Sequence, residues 1–293
     1  MTWLQEDEDR LVDMPEEWGG VVPSQVFLEE AQRIVQEAEK RGLILRVMGG
    51  VGIRLHTMEL ADLGQRLGRL GRVGGQEFTD LDFMSYRKQR DGIKALLVDT
   101  LGYGWRRPTM SSSASQRRIY FHPRGWFFVD VFWDQLRVAN HPLDFRGRLE
   151  LDSPTLTPTD FLLEKLQIVN FGGKDLKDAL VILLAHGVGE RDVPETINGR
   201  YIARLLARDW GFWYTATTNL AGMREIVPAM VELTAAEKKT ALSHIEALRR
   251  LIDGTPKSVG WKARAIIGPR KRWYEPVETT ETVGDFGIWR LRE

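Results

Sequence analysis

In the first half of the chain the apolar positions switch between helical and strand-like spacing. From Pro23 to Lys40, Val26, Phe27, Ile34, Val35 and Ala38 recur at helical intervals, and Gly42 marks the stop. Leu43–Met48 then reads as a strand. The Gly49-Gly50 pair allows a tight turn, and the first part of Val51–Leu70 is helical in pattern before Gly68, Gly71, Gly74 and Gly75 interrupt it. Asp80–Tyr86 reads as a second strand. A helix is predicted from about Asp91 to Leu101, with Ile93, Leu96, Leu97 and Leu101 on its apolar face, and Ser111-Ser112-Ser113 as a turn or loop. Arg118–Phe121 and Trp126–Trp133 read as a hairpin closed by Pro123-Arg124-Gly125.

After about residue 150 the pattern becomes almost entirely helical. Thr157-Pro158-Thr159-Asp160 is a capping-box-like start with proline at the first helical position, leading into Phe161–Val169. Gly172-Gly173 ends that helix. Further helices are predicted over Lys174–His186, near Gly199–Trp210 and over Ala235–Ile252, and the stretch beyond Gly254 reads as mixed. The expected organisation is an acidic lead-in over 1–20, an α/β domain over 21–150 and a mainly helical domain over 151–293.

Composition adds exclusions. With 293 residues and 43% hydrophobic side chains, the chain can build one large core or two ordinary ones. Forty-one basic residues balance 41 acidic ones, so attraction to nucleic acid or membrane must come from local patches. The absence of cysteine removes disulfides, thiolate metal sites and thiol nucleophiles. An acidic stretch, Gln5–Asp9, stands where a signal peptide would be basic, and no apolar run reaches the roughly 18–20 residues that cross a bilayer. A cytoplasmic location with no membrane partner is expected.

The chemistry lies in the strands. Asp80 and Asp82 project from one face while Leu81 and Phe83 project from the other. Two carboxylates on one face repel unless a cation lies between them, and Mg²⁺ is held by one or two carboxylates plus substrate phosphates. In the Trp126–Trp133 strand, Phe128, Asp130, Phe132 and then Asp134 share a face. No Walker A motif, Gly-x-Ser-x-Gly elbow, His-Glu-x-x-His or Rossmann fingerprint is present. The five histidines show no metal-ligand spacing: His122 and His141 read as loop residues, His56 and His186 as helical.

The order of these signals resembles the nucleotidyltransferase superfold of polymerase β. Its signature is a hydrophobic residue followed by Gly-Gly or Gly-Ser, then Asp-x-Asp, then a third acidic residue on another strand. Met48-Gly49-Gly50, Asp80 with Asp82, and Asp130 match in turn, with Asp134 as the alternative third carboxylate. Phe161–Leu163, Lys165 and Gly173–Leu180 further resemble the C-terminal motif of AbiEii-type nucleotidyltransferases, the toxin components of type IV toxin–antitoxin systems. The resemblance implies a nucleotidyltransferase-fold α/β domain with a small mixed sheet, a helical domain forming the other wall of a cleft, and Mg²⁺, two ions, on Asp80, Asp82 and Asp130. It also implies a nucleoside triphosphate bound by Gly49, Gly50, Lys165 and Lys174, with Asp175 or Asp178 beside the cleft.

Two departures from the family pattern stand out. Val51-Gly52 replaces the hydroxyl residue that often follows the glycine pair, and Gln76-Glu77-Phe78-Thr79 supplies Thr79 but no arginine before Asp80, with Arg69 and Arg72 further back. The expected reaction moves a nucleoside monophosphate to an acceptor hydroxyl. That acceptor is an RNA or tRNA end in the toxin reading, which also implies an antitoxin protein partner, or a small antibiotic-like molecule; the alternative class is a degenerate member that only binds a nucleotide or partner. Arg106, Arg107, Arg117, Arg118 and Arg124 around the hairpin form one local basic cluster. Lys257, Lys262, Arg264, Arg270, Lys271 and Arg272 with Trp261 and Trp273 form a second, of a composition suited to phosphate contact and base stacking.

Overall fold

The structure, a computed structural model, describes residues 14–68, 77–105, 117–137 and 139–277. The N-terminal acidic run, Arg69, Arg72, Arg106, Arg107 and Ser111–Ser113 lie outside the described residues. The fold is mixed α/β. In chain order, α1 (Ser24–Glu39), β1 (Leu45–Met48), α2 (Gly49–His56), α3 (Ala61–Arg66) and β2 (Asp80–Ser85) are followed by α4 (Arg90–Lys94), which runs on into a π-helical turn over Ala95–Thr100. Then come β3 (Gly104–Trp105), β4 (Arg117–Phe121), β5 (Phe128–Trp133) and the short pair β6 (Gln135–Leu136) and β7 (Leu143–Asp144). Helices α5 (Pro158–Leu166) and α6 (Gly173–Ala185) precede the small pair β8 (Gly187–Gly189) and β9 (Thr196–Asn198). The chain continues through α7 (Gly199–Leu206), α8 (Trp210–Ile226), α9 (Ala235–Gly254) and α10 (Val259–Ile267).

The central sheet has five strands in the order β1-β2-β5-β4-β3. It is mixed: β2 runs parallel to β5, while β1 against β2, β4 against β5 and β3 against β4 are antiparallel. The β1 edge is covered, because Val47 donates its N–H to Pro154 and accepts from the Leu156 N–H, which leaves little of that ladder open.

Strand alternation sorts the sheet into two faces. Leu45, Val47, Leu81, Phe83, Val129 and Val131 point to one side and bury against Phe27, Ala31, Ile34, Val35 and Ala38 of α1. Those α1 positions recur every three or four residues, which is why this segment folds as a helix with one apolar stripe. Each large aliphatic or aromatic side chain so buried contributes about 1.5–3 kcal/mol. On the other face, Met48, Met84 and Phe132 join a second core with Phe161, Leu162, Leu180 and Ile182 of α5 and α6, extended by α7, α8 and α9. Apolar residues from before and after position 150 therefore share one core.

α5 lies wholly within that second core, every residue from Pro158 to Leu166 being buried. The Thr157 side chain accepts from the Asp160 N–H and Pro158 occupies the first turn, as the sequence predicts. A helix this enclosed must pair its charges. Asp160 accepts from Arg148 Nε at 2.6 Å, and the ion pair is almost fully buried.

Three local expectations are corrected. Gly49-Gly50 does not form a separate turn: α2 begins at Gly49 itself, whose φ of +63° makes the corner. Asp134 does not continue the β5 face, because its φ of 58° ends the strand and turns its carboxylate to accept from the Arg87 N–H at 3.1 Å. The span Trp210–Ile226 is a long helix with Phe212, Thr215, Ala216, Asn219, Leu220 and Met223 inward, and Val259–Ile267 is a further helix in the stretch read as mixed. No helix among the described residues is long and apolar enough to cross a membrane.

Candidate functional site

The parallel β2–β5 register sets Asp82 directly beside Asp130, and Asp80 beside Phe128. Since alternate residues share a face, Asp80, Asp82 and Asp130 all project from the α5 side of the sheet, at the end where β1 turns into α2. Asp134 lies at the opposite end of β5, lining a separate hollow with Tyr86, Lys88, Arg146 and Glu150. Of these two acidic residues, Asp130 is the one that shares a face and an end of the sheet with Asp80 and Asp82.

Gly49 and Gly50 sit against the carboxylates. A Cβ built on Gly49 would fall 2.6 Å from Asp82 Oδ2, so the corner admits no side chain while that carboxylate stays in place. Gly50, Val51, Glu77, Phe78, Thr79, Asp80, Asp82 and Lys174 enclose a cleft of about 70 Å³. That volume suits ions, water and phosphate oxygens, whereas drug-sized ligands occupy about 300–1,000 Å³. Thr79 Oγ1 donates to Asp80 Oδ1 at 2.9 Å.

Glu164 is a site residue that the sequence reading passed over. It projects from α5 toward Gly49, whose N–H approaches its Oε2 at 3.4 Å, while Oε1 is buried without a hydrogen-bond partner. The signal available was a second charge, next to Lys165, in a helix otherwise rich in leucine. Burial pushes the Glu164 carboxyl up to about 8, against an opposing pull from Lys165. Asp82 is raised well above the ordinary carboxylate range, first by burial and then by Asp80, Asp130 and Glu164. Burial likewise lifts Asp130 to about 6, although Arg117 beside it favours the ionised form.

Arg117 and Lys165 take different places from those expected. Arg117, read as part of a basic surface cluster, donates from Nη1 to Asp130 Oδ2 at 2.6 Å; the other oxygen, Oδ1, is buried with no hydrogen-bond partner. Lys165 is enclosed, with Nζ 3.1 Å from Asp178 Oδ2 and 3.9 Å from Asp175 Oδ1. Burial works against its ammonium, but Asp178, Asp175 and Glu164 outweigh it and hold the pKa above the ordinary lysine value. Asp175 also accepts from the Gly172 N–H and closes the first turn of α6. Lys174, in contrast, is exposed and lines the cleft directly.

The donor set fits a hard divalent cation. Asp80, Asp82 and Asp130 offer only carboxylate oxygens, Asp130 Oδ1 is buried without a hydrogen bond, and mutual repulsion contributes to the raised pKa values of Asp82 and Asp130. A dication among Asp80, Asp82 and Asp130 would relieve each of these costs. The second basic cluster behaves differently. Trp261 packs edge-on against Trp213, Trp273 Nε1 donates to Thr215, and Arg264 stacks over Trp210 while donating to the carbonyls of Gly268 and Lys271. Its aromatic rings thus fix α10 and the following segment to α8. The chain matches no protein-family profile, no curated protein and no solved structure.

Proposed function

We propose that the chain is a Mg²⁺-dependent nucleotidyltransferase built on a nucleotidyltransferase-type fold. The observation that carries this reading is the Asp82–Asp130 register pair, with Asp80 on the same face and Gly49 pressed against Asp82 at the start of α2. Mg²⁺ held by Asp80, Asp82 and Asp130 would orient the triphosphate, favour the ionised acceptor hydroxyl and neutralise the leaving pyrophosphate.

The chain's own residues supply the rest. Lys174, exposed on the cleft wall, meets the phosphates as a point charge, and the α2 N-terminus favours an anion beside it. The acceptor oxygen attacks the α-phosphorus, the α–β phosphoanhydride bond breaks, and pyrophosphate leaves. Asp130, whose buried Oδ1 has no hydrogen-bond partner, takes the hydroxyl proton; in the metal-free protein burial raises its pKa to about 6. Arg117 holds Asp130 in position and limits how far burial raises that value. Lys165, bound by Asp178 and Asp175, fixes α5, which carries Glu164, against α6, which carries Lys174.

The acceptor is an RNA end in the first reading. A cationic small molecule is the second, favoured because Glu77, Asp80 and Asp82 make the cleft wall mainly acidic and the aromatic rings of the C-terminal basic cluster are engaged in packing. The deciding experiment incubates the full chain with each α-³²P-labelled nucleoside triphosphate, Mg²⁺, and either total tRNA or an aminoglycoside. Label should move to one acceptor with wild type and not with Asp80→Ala/Asp82→Ala. Transfer that survives the double substitution, or no transfer to either acceptor, overturns the assignment.

A further inference from the structure

A second cluster of ligating groups lies at the far ends of the two helices that frame the cleft. His56 closes α2 about 10 Å along the helix from Gly49, and His186 follows the last turn of α6. Glu195, in the β8–β9 connection, places its carboxylate over both rings. His56 Nδ1 is 3.4 Å and His186 Nδ1 3.1 Å from Glu195 Oε2, and one ligand atom from each of the three residues lies within 4.8 Å of the others. The rings stand nearly perpendicular, at 84°, with centroids 5.2 Å apart. On the outer side of His56, Nε2 lies 3.2 Å from Asp152 Oδ2.

These distances pose a charge problem. Burial opposes charge on His56, but Asp152 at Nε2 and Glu195 at Nδ1 outweigh it and raise its pKa, so a cation, whether a proton or a metal ion, is favoured between His56 Nδ1 and the Glu195 carboxylate. The side chains of His56 and His186 are 7% and 2% exposed, so water does little to screen them. His56 Nε2 and both ring nitrogens of His186 complete no hydrogen bond of good geometry. Such buried groups are costly unless something partners them.

We propose that His56 Nδ1, His186 Nδ1 and Glu195 Oε2 bind a transition-metal dication of the Zn²⁺ class, distinct from the carboxylate cleft. In a tetrahedral Zn²⁺ site with bonds of about 2.0–2.2 Å, ligand atoms lie about 3.3–3.5 Å apart, close to the two separations seen here. Imidazole with one carboxylate suits Zn²⁺, Co²⁺ or Ni²⁺ rather than Mg²⁺, which prefers oxygen. Asp152 Oδ2, 3.2 Å from the other ring nitrogen of His56, stands where the outer carboxylate of a carboxylate–histidine–metal relay would. Glu195, with its side chain 66% exposed, gives the ion a route from solvent and leaves the fourth position to water. The ion would clasp the C-terminal ends of α2 and α6, whose N-terminal ends carry Gly49 and Lys174. This site does not depend on the nucleotidyl-transfer reading.

Chelator-stripped full-length protein, titrated with ZnCl₂ by calorimetry, should bind one ion per chain and melt at a higher temperature once loaded. Co²⁺ in place of Zn²⁺ should give the visible absorption of a low-coordinate nitrogen and oxygen site. Glu195→Gln, a change at an exposed carboxylate that leaves packing intact, should weaken Zn²⁺ by at least tenfold, and Asp152→Asn by about 10–100-fold. Asp80→Ala/Asp82→Ala should leave Zn²⁺ affinity unchanged. The proposal is overturned if wild type binds no stoichiometric Zn²⁺, if Glu195→Gln binds it equally well, or if the Asp80→Ala/Asp82→Ala protein loses it.

Discussion

Gly49 and Asp82 occupy space that cannot be shared with a side chain: a Cβ at position 49 would lie 2.6 Å from Asp82 Oδ2, and Gly49 holds a φ of +63°. The left-handed conformation costs an L-residue about 1–2 kcal/mol before any clash is counted. Gly50, one residue on, has ordinary φ, and its added Cβ would meet Phe78 at 3.6 Å, a normal contact. Gly49→Ala should therefore lower the melting temperature and abolish Mg²⁺-dependent transfer, whereas Gly50→Ala should leave the fold within about 1 kcal/mol of wild type. Thermal melts of the two variants beside the tRNA and aminoglycoside labelling assay check both halves.

Glu164 makes the metal-free protein pay for its site. Its carboxyl is raised from 4.5 to about 8, mainly by burial, so the unfolded chain releases its proton at lower pH than the folded one. The resulting destabilisation is absent below pH 4.5, grows as pH rises toward 8 and is constant above that. Glu164→Gln should thus raise the melting temperature of chelator-treated protein by at least about 2 °C at pH 8.5, with the gain shrinking toward zero near pH 4.5. A gain that is the same at all pH values would show that packing, not ionisation, is responsible.

How much of this site could be read from the chain depends on whether the signal was local. Asp80 and Asp82 were legible because strand alternation sets their common face, and Asp130 because it interrupts an apolar run. The motif preferred Asp130 to Asp134, but the geometric reason, the β2–β5 register and the left-handed turn at Asp134, is contained in no strand spacing. Glu164 and Arg117 were missed as site residues for the same reason. One sits on a helix and one on a neighbouring strand, and only tertiary packing brings them to Gly49 and Asp130. α8 was missed because its Trp, Phe and three Thr residues are weak helix formers, and burial of one face overrides that propensity. His56 and His186 carry no motif, since their proximity arises from α2 packing on α6.

Arg117 also makes the acid limb of catalysis testable. Its guanidinium favours ionised Asp130, opposing the burial that lifts this carboxyl to about 6. Arg117→Gln removes that opposition, so Asp130 should hold its proton to higher pH. The acidic limb of the transfer rate against pH should move upward from its wild-type position, with activity recovering at alkaline pH. A profile that merely drops in height without moving would assign Arg117 to substrate contact instead.

Lys165 and Lys174 separate structure from binding. Lys165 is buried against Asp178, a carboxylate with no solvent exposure, and removing one member of such a buried pair is strongly destabilising. Lys165→Met should cost about 3–5 kcal/mol in denaturant unfolding, and adding Asp178→Asn should recover part of that loss because a buried negative charge goes with it. Lys174 is exposed on the cleft wall, so Lys174→Ala should change stability by less than about 0.5 kcal/mol. In the labelling assay, Lys174→Ala should raise the KM for the nucleoside triphosphate several-fold. The refolded Lys165→Met/Asp178→Asn protein should keep a KM near wild type, and if its KM rises as far as that of Lys174→Ala, the buried lysine reaches the triphosphate after all.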